Sequence, residues 1–291
     1  VFDVVIIGGG INGCGCAADA AMRGLSVLLC EEDDLASKTS SSSSKLIHGG
    51  LRYLEHYHFS LVKKALDERQ RLLELAPHLI HPLPFVLPYQ QATRPLWLLR
   101  LGLFFYDHLS RKNRLPSSQL IRRKKDDLYF MPLDGQYTTG FRYFDCTTDD
   151  ARLTVTNALQ AKKYGATILT QTKLTHAKAL NGRWQITLKP KFGSMLQVKA
   201  KSLINAAGPW VTDINQQLEI PMKYKTSLVR GSHLVVPRMY EGEHAYLLQS
   251  GDKRVVFAIP YFGNTLIGTT DVLHEASIDQ IHIAKEETAY L

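Results

Sequence analysis

The chain has little of several things. Among its 291 residues there are four cysteines, Cys14, Cys16, Cys30 and Cys146, and their spacing matches neither a disulfide framework nor a zinc site. No metal centre built on thiols is expected, and a reducing compartment is. No uncharged apolar run reaches the roughly 18 residues needed to cross a bilayer. No secretory leader precedes the first strand, so none is expected in this chain. No helix-turn-helix or RNP-like pattern is present, and a nucleic-acid partner is not expected.

What is present is globular in kind. Apolar residues make up 45% and charged residues 21%, ample for one large core or two intimate ones. The net charge of +8 is concentrated: Arg94 to Lys125 holds nine Lys or Arg against the single acid Asp107.

Phe2 to Ile7 reads FDVVII, an apolar, β-branched run suited to a buried parallel strand. Gly8-Gly9-Gly10-Ile11-Asn12-Gly13 follows and contains G-x-G-x-x-G. A small-residue helix then runs to Arg23, with Gly24 as its terminator. Leu25 to Cys30 gives a second strand. Glu31 closes it, 18 positions after Gly13. Gly8 makes the tight turn, Gly10 admits a pyrophosphate, and Gly13 lets helix and strand pack closely. The helix N-terminus offers free N–H groups and a positive dipole end to the phosphates. Glu31 can accept from ribose hydroxyls, and it disfavours a 2′-phosphate. Cys14 and Cys16, two apart on a helix, do not face each other and read as packing residues.

A plain NAD domain would continue into another strand and helix. Here the chain enters Thr39, the five serines Ser40 to Ser44, and then Lys45-Leu46-Ile47-His48-Gly49-Gly50-Leu51-Arg52-Tyr53. A serine run can be a flexible linker. Its alternative is a cradle of hydroxyls and N–H groups, with glycines lying close to a flat ring.

Further on, Phe59 to Leu75 has the spacing of an amphipathic helix. Asp149 and Asp150 read as the cap and first turn of a helix that Gly165 ends, ahead of a strand at Ala166 to Gln171; a catalytic acid pair is the alternative. Asn181-Gly182 marks a hairpin inside an alternating stretch. Ser202 to Asn205 is a strand returning to Ala206-Ala207-Gly208-Pro209-Trp210, where Gly208 permits close approach of backbone to a ligand. Pro95 to Tyr106, with Trp97, Phe104 and Phe105, is too short to span a bilayer. It suits lying in a membrane interface, with Arg111, Lys112, Arg114 and Arg122 to Lys125 on anionic headgroups. The alternative is a core helix followed by a solvated charged loop.

The stretches GGGINGCGCAADAAMRGLSV, TSSSSSKLIHGGLRYLEHYHFSLVKKAL and APHLIHPLPFVLP resemble the FAD-dependent, quinone-reducing glycerol-3-phosphate dehydrogenases. RLGLFFYDHLS, FDCTTDDARL, NAAGPWV, RGSHLVVP and KRVVFAIPYFGNTLIGTTDV agree with this. The resemblance runs the length of the chain. It implies an α/β fold: a Rossmann-like FAD-binding domain of the glutathione-reductase-like, D-amino-acid-oxidase-like type, interleaved with a substrate domain on an antiparallel sheet. The expected division is 1–75 with 145–215 for FAD and 76–144 with 216–291 for the substrate, the stretch after Lys173 forming a small inserted sheet.

The implied cofactor is FAD, and the implied reaction takes sn-glycerol 3-phosphate to dihydroxyacetone phosphate. Hydride passes from C2 to flavin N5, and electrons go on to ubiquinone. The implied location is peripheral, at the cytoplasmic face of a bacterial inner membrane, with the Arg94–Lys125 segment on the lipid; a homodimer is left open. Cofactor contacts are expected from Gly8, Gly10, Asn12, Gly13, Glu31, Thr39, Ser40, Ser44, Lys45, Leu46, His48, Gly49, Leu174, Ala207, Gly208 and Trp210.

Oxidising a secondary alcohol also needs a base and a cation for the phosphate. An imidazole titrates near working pH, and His233, which the resemblance places near the flavin, is the candidate base or substrate hydrogen-bonding residue. Arg52 is the candidate phosphate ligand, with a surface salt bridge as its alternative. Tyr53 and Thr270 are candidates for contact with the substrate. Two other functions stay open: an oxidase that hands electrons to oxygen, and a nucleotide-binding module without turnover. Members of the resembled family are longer, so a substrate-binding Arg strand, a Gly-Gly-Lys-Thr-Thr stretch and a helical domain are expected beyond this chain. Poor turnover by this piece alone is expected with them.

Overall fold

The computed structural model describes residues 1–89, 95–224, 226–249, 254–278 and 280–291. In chain order the elements are β1 Phe2–Ile7, α1 Ile11–Met22, β2 Val27–Cys30, β3 Leu46–Ile47, α2 Phe59–Leu75, β4 Ile80–Pro88, α3 Leu96–His108, β5 Gln119–Arg122 and β6 Thr139–Thr148. Then follow α4 Asp150–Lys163, β7 Thr167–Leu169, β8 Thr172–Leu180, β9 Arg183–Pro190, β10 Leu196–Asn205 and α5 Val211–Gln217. The last are β11 Val229–Arg230, β12 His233–Pro237, β13 Ala245–Gln249, β14 Val255–Tyr261, β15 Asn264–Gly268, β16 Val272–Leu273 and α6 Lys285–Tyr290. They fall into two compact units: Val1–Ser43, Asp149–Leu228 and Glu275–Ile281, and then Ser44–Thr148, Val229–His274 and His282–Leu291.

The first unit is built on a sheet of order β7-β2-β1-β10-β9-β8. β1 is parallel to both β2 and β10. Alternate residues of β1 enter two cores: Val4 and Ile6 meet α1 and α4, whereas Val5 and Ile7 meet Leu174, Ile186 and Leu188. A strand covered on both faces has no solvent side, which is why FDVVII is almost uniformly apolar. α1 presents Cys14, Ala17, Ala18 and Ala21 to Ala158 and Ala161 of α4. Small side chains on both helices permit that close packing. Burial pushes the thiols of Cys14 and Cys30 up to about 12, so they behave as packing groups. β8, β9 and β10 are not a separate small sheet as expected. β10 pairs in parallel with β1 and antiparallel with β9, so the meander extends the main sheet.

The second unit carries an eight-stranded sheet of order β12-β15-β14-β13-β4-β6-β3, with β5 also on β6. Its core joins Val62 and Leu66 of α2, Leu103 and Tyr106 of α3, Phe85 and Leu87 of β4, and Phe141 and Tyr143 of β6. α2 spans Phe59–Leu75 as expected, but it belongs here. The first boundary falls after Ser43 rather than after Leu75, because β3 pairs with β6 and α2 buries its apolar stripe in this core. The later boundary falls after Leu228 rather than at 215.

A candidate nucleotide cleft and a histidine cluster

In the first unit a cleft of about 410 Å³ opens over the end of β1. Gly8, Gly10 and Asn12 line one side, Glu31, Thr39 and Ser40 another, and Leu174, Ala207, Gly208 and Trp210 the rest. The backbone makes this shape possible. Gly8 has φ +105°, and a Cβ there would stand 2.5 Å from the Ala206 carbonyl oxygen. A Cβ on Gly13 would stand 1.9 Å from the Gly8 carbonyl oxygen. Gly13 does not line the cleft; it lets α1 sit hard against the turn, the packing role its spacing implies.

α1 begins without a side-chain cap at Gly10. The Ile11 N–H donates to Ser40 Oγ at 2.9 Å, which ties the serine run to the helix start and shows that this end of the run is not a free linker. Glu31 is anchored as well as exposed to the cleft. The Gly9 N–H donates to Oε2 at 2.6 Å and the Asp33 N–H to Oε1 at 2.8 Å. A carboxylate has about four acceptor positions, so two remain for hydroxyls. On the opposite wall the Asn205 amide donates to the Val211 carbonyl and to Asn215 Oδ1, which fixes the turn of Gly208–Trp210. Gly208 adopts φ +55° there.

Lys38, Asp213 and Gln217 also line the cleft. The sequence reading missed them. Lys38 pairs with Asp33 at 2.8 Å and lies over the Trp210 ring. For Lys38 the available signal was a cation just ahead of the serine run, which Lys45 closes; nothing in the spacing points to Asp213 or Gln217.

The remaining site residues lie in the second unit. His233 is half-buried, and its Nε2 stands 2.8 Å from Ser44 Oγ. Burial, with the nearby Lys45 ammonium, lowers its pKa below the ordinary imidazole value. Lys45 has φ +59°, and its carbonyl accepts from the Thr148 N–H and from Thr147 Oγ1. Leu46 packs at the margin of the apolar core. His48 is exposed, and its Nδ1 accepts from the Gly50 N–H at 3.1 Å. Arg52 and Tyr53 are exposed on a 3₁₀ turn, Leu51–His56.

Thr270 departs from its expected role. Its hydroxyl donates to Glu287 Oε1 at 2.6 Å and accepts from the Ser232 N–H. That proton is committed inside the protein rather than offered to a ligand. Glu287 also accepts from Ser232 Oγ, the Ala284 N–H and Arg230. Burial works against its ionised form, but these donors outweigh it and hold the carboxyl at about 2. No spacing rule points to Glu287. Arg94, at the start of the basic segment, lies outside the described residues.

A glycine turn, a helix start beside it and an acid at the end of β2 define a dinucleotide-type cleft, and the family model for FAD dependent oxidoreductases matches residues 3–291. The chain belongs to that family. It is 52% identical over its whole length to a glycerol-3-phosphate dehydrogenase of Pseudomonas aeruginosa, covering 56% of that protein. It is 49% identical over 99% of its length to a D-erythritol 1-phosphate dehydrogenase of Brucella abortus, covering 58% of it. Among solved structures, the glycerol-3-phosphate dehydrogenase of Bacillus halodurans complexed with FAD matches at a TM-score of 0.75 and 29% identity, over 99% of this chain and 51% of that one. The chain thus spans little more than half the length of the curated relatives it matches.

The cleft fits the family's cofactor, FAD. Gly8 and Gly10 leave the room a pyrophosphate needs, the N-terminus of α1 lines the same cleft, and Glu31 keeps two acceptor positions for ribose hydroxyls.

Proposed function

We propose that the protein oxidises sn-glycerol 3-phosphate to dihydroxyacetone phosphate. The observation that carries this reading is 52% identity, across the whole chain, to a glycerol-3-phosphate dehydrogenase. FAD, when bound, supplies the hydride acceptor. Gly8, Gly10, Asn12, Glu31, Thr39, Ser40, Leu174, Ala207, Gly208 and Trp210 hold it on the first unit. Ser44, Lys45, Leu46, His48 and Gly49 contact it from their loop.

His233 accepts the substrate hydroxyl proton. Its lowered pKa keeps the ring neutral near pH 7, as a base must be, and Ser44 orients it. Arg52 binds the substrate phosphate through its planar fork, and Tyr53 packs against the ring edge or bonds a substrate hydroxyl.

Electrons go on to a membrane quinone, at the cytoplasmic face of a bacterial inner membrane. α3 supports this. It buries Leu103 and Tyr106 but turns Trp97, Leu98, Leu101, Phe104 and Phe105 outward. That stripe, followed by Arg111, Lys112, Arg114 and Arg122 to Lys125, suits an anionic lipid surface.

A second reading, oxidation of a longer polyol phosphate, rests on the 49% identity to the erythritol-phosphate enzyme. Anaerobic addition of each substrate to the FAD-loaded protein separates the two. Bleaching of the flavin bands by sn-glycerol 3-phosphate supports the proposal. Bleaching by erythritol phosphate alone overturns it in favour of the second reading. Hydrogen peroxide in place of quinone reduction would make the protein an oxidase. Replacing Arg122, Arg123, Lys124 and Lys125 by Gln should weaken binding to anionic vesicles, and unchanged binding would refute the membrane role.

A further inference from the structure

A buried polar chain in the second unit is used by none of the chemistry above. Arg69 of α2 pairs with Asp145 of β6 at 2.5 Å, the two side chains being 1% and 4% exposed. Arg69 also donates to Asn113 Oδ1 at 2.9 Å. The Tyr106 hydroxyl of α3 donates to Asp145 at 2.8 Å. The same hydroxyl accepts the Gly49 N–H at 2.7 Å.

Burying an ion pair this deeply returns little stability over an apolar replacement. What the pair does return is a fixed hydroxyl. With Asp145 held by Arg69, the Tyr106 hydroxyl donates to the Asp145 carboxyl, and its oxygen lone pairs are left for Gly49. The fit is tight: a Cβ on Gly49 would stand 2.8 Å from that hydroxyl oxygen and 2.4 Å from Leu66. His48 is the exposed neighbour of this anchored glycine.

We propose that Tyr106 is a positioning residue. Its hydroxyl, held by Asp145 and Arg69, fixes the loop at Gly49 and so sets how His48 is presented to the bound cofactor. This rests on the reading that the His48 loop contacts FAD.

The test compares Tyr106→Phe, His48→Gln and Leu247→Ala in the FAD-loaded protein. Leu247 lies in the same apolar core and stands for general loosening. The readouts are the FAD dissociation constant, the visible flavin spectrum, and hydrogen exchange of the peptide spanning 46–53. Tyr106→Phe and His48→Gln should each weaken FAD about tenfold, the worth of one charge-coupled hydrogen bond, and shift the flavin bands. Tyr106→Phe should also speed exchange of the loop peptide, and Leu247→Ala should do none of this. If Tyr106→Phe behaves like Leu247→Ala while His48→Gln alters the flavin, the proposal fails and the loop reading stands. If His48→Gln alters nothing, the loop reading fails and the proposal with it.

Discussion

His244 should make the protein lose stability between pH 6.5 and pH 4. It sits just before β13, 3% exposed, in a box of aromatic rings. Tyr129 and Tyr246 stand nearly perpendicular to it, at 4.9 and 4.8 Å, and Tyr240 lies tilted at 5.1 Å. Among the described residues its Nε2 has no hydrogen-bond partner. Burial lowers its pKa from 6.5 to about 4, against an opposing pull from Asp127. The sign follows from which state binds the proton. Below pH 6.5 the unfolded chain takes it up and the folded protein does not, so stability falls as pH falls and levels off below pH 4. The full effect is roughly 3 kcal/mol, of which about 2 kcal/mol is lost by pH 5. Glu287 acts only below about pH 4.5, and His233, whose pKa is also lowered, adds to the fall below pH 6.5 in wild type and variant alike, so the difference between the two proteins near pH 5 belongs to His244. His244→Phe keeps a ring in the box and removes the titrating group and its orphaned nitrogen. At pH 7 it should cost under about 1 kcal/mol or stabilise, since an unsatisfied buried group costs about 1–3 kcal/mol. Urea unfolding of both proteins at pH 7 and pH 5 measures this. Parallel pH dependence in the two would refute the reasoning.

Two other expectations follow from close contacts. Gly13→Ala places a methyl 1.9 Å from the Gly8 carbonyl oxygen, so the turn must open; FAD should be retained at less than about a tenth of its normal affinity, read from flavin fluorescence on dilution. Glu287→Gln leaves the Arg230 guanidinium without its carboxylate and should cost about 2–3 kcal/mol in urea unfolding at pH 7. Wild-type stability from this group is present above pH 4.5 and is lost as pH falls toward 2, and the variant should show no such loss.

Much of the cleft was legible because its signals are local. Gly13 reports on the chain within a few residues, because a Cβ there meets the Gly8 carbonyl, and Gly8 carries a positive φ that favours glycine whatever lies opposite it. Asp149 accepts from the Arg152 N–H as a cap should, and Asn181-Gly182 turns with φ +50° and +71°. The extent of α2 followed from its period alone. Its destination did not, since an apolar stripe states only that something must cover it.

The amino-acid order therefore determined the βαβ turn, the caps, the hairpin and the pattern of faces, all set by interactions a few residues long. The tertiary structure decided the partnerships. Ser44 meets His233 across 189 positions, Arg69 meets Asp145 across 76, and Thr270 gives its proton to Glu287. Spacing carries no trace of these, because the chain between the partners can take any path that the packing of both ends permits.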